Sequence, residues 1–169
     1  MSTNKYVNTT LASGAKVSPG AGFPGGVLCL KGTYEKTASD NDASVLRLGK
    51  VPVTAIPLVN LSKLGNDALS GATDVDIGVY KCGANGTVVD KDCLSDGLNI
   101  ASGAALGSEI RAFQAVGLDE WNRSIKDIVE SDNSTTIYDQ EVDIALTGNT
   151  FGTATGTISW ELFFLLPQV

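Results

Sequence analysis

Residues 74–90, DVDIGVYKCGANGTVVD, carry the clearest fold signal in the chain. Apolar side chains at Val75, Ile77 and Val79 alternate with polar or small ones, and this period of two indicates a strand with one buried face and one hydrated face. Asn85-Gly86 follows, a strong hairpin signal because both residues tolerate a positive φ. The stretch therefore predicts an antiparallel pair joined by a tight reversal, with the second strand over residues 87–90.

Short apolar or alternating runs, separated by turn residues, continue on both sides of this hairpin at intervals of roughly ten residues. That spacing is typical of an antiparallel β-sandwich or barrel. The candidate strands are residues 27–31, 44–51, 53–61, 74–81, 87–90, 142–147 and 156–166. Pro52 and Pro57 each remove a ladder donor, which predicts that 53–61 lies at a sheet edge, a bend or a bulge. The small and polar residues 148–155 predict a hairpin that pairs the last two strands.

Two strands and one helix carry expectations about burial. In residues 44–51 we expect the apolar side chains to form the buried side around Arg47 and Lys50; these apolar residues are Val45, Leu46, Leu48 and Val51. The run 160–166 (WELFFLL) is too short to span a bilayer, and we expect a strand buried on both faces. Apolar spacing over 118–130 predicts a short amphipathic helix across one end of the sandwich.

The first 26 residues have almost no periodic apolar pattern, and residues 13–26, SGAKVSPGAGFPGG, concentrate Gly, Ser and Pro. We therefore predict an extended N-terminal arm over 1–26 and a single β-sandwich domain over 27–169. The arm is either a disordered leader or an extended segment that lies on a neighbouring subunit. Its candidate protein-contact residues are the apolar ones, Tyr6, Val7, Leu11, Val17 and Phe23.

Composition excludes several classes of function. The chain has 169 residues, with 12 Lys and Arg against 19 Asp and Glu, and a formal net charge of −7 at pH 7. It contains no histidine, which excludes an imidazole base, a Ser-His-Asp or Cys-His pair and a His-containing zinc site. The negative charge disfavours contact with phosphate backbones. We therefore expect neither an enzyme nor a nucleic-acid partner.

The low charge density permits contact with another protein. Only 18% of the residues are charged, so another protein could cover much of the surface without desolvating many ions. The N-terminal MSTNKYVNTT lacks the apolar run of a signal peptide, and no segment reaches the ~20 apolar residues that span a bilayer. We expect no membrane partner and folding in the cytosol where the chain is made.

Cysteine usage fits that compartment. The three cysteines, Cys29, Cys82 and Cys93, form an odd set without C-x-x-C spacing, which predicts reduced structural thiols. A disulfide between Cys82 and Cys93, across the predicted hairpin, is the alternative.

Acidic residues recur around the same hairpin, at Asp74, Asp76, Asp90, Asp92 and Asp96. We interpret them as solvated carboxylates, although the hairpin could bring some of them together as oxygen ligands for a hard cation. The spacing lacks the D-x-D-x-D-G loop with a closing Glu that calcium loops show. We therefore predict no metal site, no cofactor and no catalytic residue.

Several of these segments resemble a family of small tailed-bacteriophage virion proteins, the capsid decoration or cement proteins. The resemblance rests on the R-L-x-K-V-P strand at 47–52, the D-x-L-S-G-A-T-D-x-D-x-G-x-Y segment at 67–80 and the V-V-D-x-D stretch that starts at Val88. It also includes A-L-T-x-N-T-x-G-T-A-x-G-T at 145–157 and covers about residues 44–165. The arm lies outside it.

This resemblance implies a jelly-roll-like sandwich. Together with the helix and the arm predicted above, the expected fold is an all-β, antiparallel, jelly-roll-like β-sandwich with one short helix and an extended N-terminal arm. It implies a virion protein, made in the host cytoplasm, that binds the outer capsid surface as a dimer or trimer and stabilises contacts between neighbouring capsomers. The major capsid protein would be its partner. The alternative that the sequence leaves open is an adhesion or carbohydrate-binding β-sandwich displayed on a virion or tail.

Overall fold

Two β-sheets and one short α-helix make up the described part of the chain. The computed structural model describes residues 4–6, 26–83, 85–104, 109–133 and 136–167. The strands are β1 (Asn4–Tyr6), β2 (Gly26–Lys36), β3 (Val45–Pro52), β4 (Ile56–Pro57), β5 (Lys63–Asn66), β6 (Asp74–Lys81), β7 (Val88–Leu98), β8 (Ile110–Arg111), β9 (Glu141–Thr150) and β10 (Gly156–Leu166). A 3-10 helix spans Leu118–Glu120, and α1 spans Ile125–Asn133.

The strands divide between two sheets that face each other. Sheet A has the order β1-β3-β9-β6-β7, and sheet B has the order β2-β10-β5-β8, with β4 also paired to β10. Every pairing is antiparallel except that of β1 with β3. The predicted all-β sandwich with one short helix is confirmed.

Apolar side chains from both sheets fill the space between them. Fully buried contributions come from Leu48, Ile77 and Leu146 of sheet A and from Leu64, Leu162 and Phe164 of sheet B. Phe113 joins this core from the loop after β8, with its ring centroid 5.5 Å from that of Phe164. Burial of these side chains is the main stabilising term of the fold.

The prediction that the last two strands form a hairpin is wrong. β9 is hydrogen-bonded to β3 on one edge and to β6 on the other, so no edge remains for β10. The chain instead crosses to sheet B, where β10 pairs with β2 along all eleven residues. Phe151 is buried at this crossover, and its backbone N–H donates to Asp42 Oδ1 over 2.8 Å.

Three predictions about burial also need correction. In β6 the face expected to be wet is buried, since Asp76 is 0% exposed and Tyr80 is also buried. Arg47, expected beside solvent, is only 1% exposed, whereas Lys50 is exposed as predicted. In β10 one face is buried and the alternate residues are half-exposed, so the strand is not buried on both faces.

The reversal between β6 and β7 is confirmed, but its turn differs from the expected one. The backbone N–H of Lys81 donates to the Thr87 carbonyl, and that of Gly86 donates to the Gly83 carbonyl. Among the described residues of this loop, Gly83 has a positive φ (114°), whereas Gly86 is not in the positive-φ region. β7 extends to Leu98, well beyond the predicted residue 90, and three irregularities bend it against β6.

The helix begins later than predicted. Leu118, expected on its apolar face, is 80% exposed in the separate 3-10 turn. α1 begins after Ser124, whose Oγ accepts from the Asp127 N–H while the Asp127 carboxylate accepts from the Ser124 N–H. This reciprocal pair is a capping box, and it fixes the helix start. Ile125, Ile128 and Val129 are buried as predicted.

Three remaining segments differ in length from the prediction. One of them is β9, which spans Glu141–Thr150 where the pattern predicts residues 142–147. Of residues 53–61, only Ile56–Pro57 forms a strand, and turns flank it, in agreement with a bend at the prolines. β2 continues five residues beyond the predicted 27–31 and ends at Lys36.

Candidate interaction surfaces

Side chains on β2 and β10 alternate between the core and an outer surface, which we call the outer face of sheet B. The register sets Lys31 opposite Glu161 and Cys29 opposite Phe163, and residues directly opposite in an antiparallel pair project to the same side. The inner positions of the two strands, such as Leu30 and Leu162, belong to the core. The outer face therefore runs along the full length of both strands.

One half of this face is polar. Lys31 Nζ donates to Glu161 Oε1 over 3.2 Å, and Thr157 Oγ1 donates to Glu35 Oε1 over 2.7 Å. A shallow groove of about 620 Å³ lies beside these strands, and Trp160 lines it together with charged and hydroxyl side chains. Ions exposed in this way contribute little to stability, so this half is free to serve contacts.

The other half is apolar. Val27, which is 57% exposed, lies opposite Leu165, and Ile56 of β4 lies on the other side of Leu165. Cys29 and Phe163, both half-buried, continue the patch towards Lys31. Sequence reasoning missed this surface, because the alternation of β2 and β10 does not reveal which of their apolar positions face outward.

The arm residues that the sequence singled out lie mostly outside the described residues. Tyr6 belongs to β1, where the register places it beside Arg47 in a parallel pairing with β3. Val7, Leu11, Val17 and Phe23 lie outside the residues that the structure describes. Their role in protein contacts remains a prediction.

The outward side of sheet A holds a buried polar network centred on Arg47. Its guanidinium lies 4.3 Å from the centroid of the Tyr80 ring, and Nη1 is 3.9 Å from Asp143 Oδ2. Nη2 donates to the carbonyl oxygen of Gly86 over 2.6 Å. The Tyr80 hydroxyl shares a 2.6 Å hydrogen bond with Thr147 Oγ1. A charged group this deeply buried needs such partners to offset its desolvation.

Strand β7 and the loop before it cover this network. The Gly86 carbonyl reaches over Arg47, and the backbone at Asp90 and Lys91 presses so closely on Gly78 that a Cβ there would lie 2.2 Å from Asp90 O. Gly78 therefore allows β7 to fold over the outward side of β6. This explains why the polar positions of β6 are buried although their sequence pattern indicates a wet face.

The structure brings together some of the five acidic residues that recur around the hairpin. Carboxylate oxygens of Asp76, Asp92 and Asp96 lie within 4.8 Å of one another, and so do those of Asp90, Asp92 and Asp132. The sequence did not single out Asp132, which comes from α1. Asp74 instead accepts a hydrogen bond from Asn149.

The buried carboxylates already have protein partners. Asp76 pairs with Lys91 Nζ at 3.2 Å and accepts from the Gly97 N–H and from Asn149 Nδ2. Burial, followed by a hydrogen bond with Asp92, raises the pKa of Asp90 to about 6. Its Oδ1 also accepts from the backbone N–H of Cys93. The chain's own groups thus satisfy these carboxylates, and Lys91 supplies positive charge to the first group.

The three cysteines are free thiols, as predicted, and the alternative disulfide is not formed. Burial is the main cause that raises the pKa of each, to about 11 for Cys82 and well above the usual value for Cys93. The pKa of Cys29 is also raised, by burial and by Glu161. Since the thiolate is the nucleophilic form, these side chains are poorly suited to covalent catalysis.

No described helix is long and apolar enough to cross a membrane. No protein-family model and no curated protein matches the chain. Similar folds are found among solved structures of virus particles. One is a chain in the capsid of Ralstonia phage GP4, with a TM-score of 0.55 and 15% identity over 85% of this chain and 84% of that chain.

A second is a chain in the capsid asymmetric unit of cyanophage Pam1, with a TM-score of 0.52 and 20% identity. This fold occurs in phage capsids. The Pam1 match covers 95% of the present chain and 99% of that chain, so the likeness extends over the whole sandwich. At these identities it establishes a shared fold.

Proposed function

We propose that the chain is a structural protein of a bacteriophage virion, which binds the outer capsid surface as a decoration or cement protein. The observation that carries the proposal is its near full-length fold likeness to a chain of a phage capsid, 95% of this chain against 99% of that one. On this proposal the major capsid protein is the partner, and the chain acts as an oligomer after synthesis in the host cytoplasm.

The surface chemistry supports a role in protein contact. The outer face of sheet B offers an apolar patch next to a polar half, the mixture that protein interfaces commonly show. Val27, at the start of β2, places that patch directly after the predicted arm. Arm and patch would then contact adjacent parts of a capsid, and repeated weak contacts across a shell become collectively strong.

Buried polar contacts make the sandwich rigid, as a protein that holds two capsomers together requires. Arg47 Nη2 donates to Gly86 in the loop before β7, Asp76 pairs with Lys91 of β7, and both Arg47 and Asp76 are buried. Such a sealed network resists local opening. In a cementing role this rigidity would let each copy hold two capsomers at a fixed separation.

Purified virions test the proposal. The chain should be present in them at many copies by quantitative mass spectrometry, and particles from a deletion mutant should release DNA at a lower temperature than the parent. Adding back the purified chain should restore the release temperature. Its absence from virions, or unchanged heat resistance after deletion, would contradict cementing. Glycan binding without capsid binding would favour the adhesion alternative.

The arm residues are tested in the same add-back experiment. A full-length variant with Tyr6, Val7, Leu11, Val17 and Phe23 changed to Ser should bind stripped capsids more weakly. A matched variant with Thr9, Thr10, Ser13 and Ser18 changed to Ala should bind like the parent. Equal binding by the two variants would remove the arm contacts from the proposal.

A further inference from the structure

Strand β2 has one edge that pairs with no residue in the described part of the chain. It is the terminal strand of sheet B, with β10 as its partner along all eleven residues, and no other described residue pairs with it. A long edge strand presents unpaired N–H and C=O groups that can pair with another chain. Natural edges of this length are usually covered or blunted.

The charges on β2 select one way of covering this edge. If a second copy adds its own β2 antiparallel, with a twofold axis perpendicular to the sheet, the outer faces of both copies lie on the same side. Directly opposed residues project to the same face, and side chains alternate between faces along β2. An odd-numbered residue must therefore oppose an odd-numbered residue of the second copy, and an even-numbered residue an even-numbered one. Lys31 and Glu35 project from the same outer face, because they lie opposite Glu161 and Thr157.

We propose that two copies of the chain pair through their β2 edges, antiparallel, with the twofold axis passing between Thr33 and its copy. In this register each Lys31 opposes a Glu35 of the partner copy, which gives two opposite-charge pairs. Thr33 opposes itself, and Thr–Thr pairs are also favourable across strands. A register centred on Lys31 would instead set two ammonium groups against each other, which is destabilising.

The inner side of the strand is compatible with the same register. Gly32 opposes Tyr34 of the second copy, and the Trp160 indole, which already covers Gly32, would then lie beside that aromatic ring. Gly32 cannot accept a larger side chain, because a Cβ there would lie 2.5 Å from the Trp160 indole. Lys31 thus disfavours the register centred on itself, and Glu35 supplies the opposite charge in the register centred on Thr33.

This pairing rests on the oligomer in the proposed function and specifies its interface, but its test uses the isolated chain in solution. The virion experiments can fail while the dimer is found, and the reverse can also occur. The result would be one continuous sheet through two sandwiches, with both apolar patches on the same side. Such a dimer presents two copies of the outer face to a flat partner surface.

Cysteine cross-linking tests the register directly. In a full-length background with Cys29 and Cys82 changed to Ser, Thr33→Cys places two thiols on directly opposed residues, whose Cα atoms lie about 4.5–5.5 Å apart. That separation suits a disulfide. Glu35→Cys is the matched control, because its two copies lie about 13 Å apart along the strands. We expect a covalent dimer from Thr33→Cys and none from Glu35→Cys under mild oxidation.

Charge reversal gives an independent readout by analytical ultracentrifugation. Lys31→Glu should raise the dimer dissociation constant at least about fivefold, and Glu35→Lys in the same chain should restore it to within about twofold. Lys50→Glu is the control: it breaks the exposed ion pair between Lys50 and Glu141 on sheet A, far from β2 in the sheet order, and should leave the dimer dissociation constant unchanged.

Three outcomes would overturn the proposal. The chain could sediment as a monomer at about 100 μM, a concentration at which even weak specific interfaces associate. Glu35→Cys could cross-link as readily as Thr33→Cys. Lys31→Glu could leave an existing dimer unaffected, which would locate the interface elsewhere.

Discussion

Arg47 Nη2 donates a hydrogen bond to the carbonyl oxygen of Gly86 over 2.6 Å and so joins β3 to a loop 39 residues further along the chain. The same side chain covers the Tyr80 ring and forms an ion pair with Asp143. A single buried guanidinium therefore connects β3, β6, β9 and the loop that seals them. Four of our predictions concern this region and its neighbours.

Arg47→Met is expected to lower the free energy of unfolding by about 3–5 kcal/mol, because it removes one partner of a buried ion pair. The double variant Arg47→Met with Asp143→Leu should lose less, since it removes both charges. Lys50→Met, which breaks the exposed pair with Glu141, should cost at most about 1 kcal/mol. Urea unfolding measures all three, and equal losses for Arg47→Met and Lys50→Met would contradict the role given to Arg47.

Gly78→Ala should destabilise the sandwich by about 1–3 kcal/mol or more, because the new Cβ would meet backbone atoms of Asp90 and Lys91 at 2.2 Å. Backbone atoms cannot relieve this clash by a change of rotamer, as a flexible side chain could. Strand β7 would therefore have to move away from β6. Gly26→Ala is the matched control, since a Cβ at Gly26 meets nothing within 4 Å. A thermal melt that shows the same midpoint for both variants would remove Gly78 from this account.

Stability should fall as the pH rises from 5 to 7. Burial and Asp92 raise the folded-state pKa of Asp90 to about 6, above the value of about 4 in an unfolded chain. The folded chain thus holds this proton more tightly. The contribution is fully present below about pH 4 and is lost as the pH rises through about 6.

Urea midpoints at pH 5, 6 and 7 measure this dependence. Asp90→Asn keeps an Oδ1 acceptor for the Cys93 N–H and cannot ionise, so its midpoint should vary less over the same range. Equal pH dependence in the parent and the variant would assign the effect to other groups.

The thiols should react in an order set by their burial. Cys93, which is buried and has a strongly raised pKa, should react with a thiol reagent only on unfolding. Cys29 and Cys82 are half-buried and should react slowly at pH 8, because little thiolate forms when the pKa of Cys82 is about 11. Denatured chains should titrate three thiols. Two missing thiols would instead indicate the Cys82–Cys93 disulfide.

The sequence predicted the strand content well where the local pattern was sufficient. The boundaries of β6 and β10 agree with the prediction, and β3 agrees to within one residue. The apolar spacing over 118–130 places the helix start too early, because it runs through the capping box of Ser124 and Asp127. That motif could have corrected the prediction from sequence alone.

Which strands pair, and which faces are covered, could not be obtained in the same way. The turn-like residues 148–155 indicate a hairpin, yet both edges of β9 are already taken by β3 and β6. The burial of Arg47 and Asp76 likewise depends on β7 folding over β6, and only the missing side chain at Gly78 permits this. The alternation of apolar and polar residues along a strand indicates neither the occupied edges of β9 nor the burial of Arg47 and Asp76.

The sequence by itself determined the β-sandwich class, the free thiols and the exclusion of histidine chemistry, because these depend on composition and on a period of two along single strands. Tertiary structure alone decided the sheet assignment of β10, the sealed network of Arg47 and the edge of β2 that no described residue pairs with. Those features arise from pairings between residues far apart in the chain, where edge hydrogen bonds and burial compete. The residues of a single strand do not predict which other strand it pairs with.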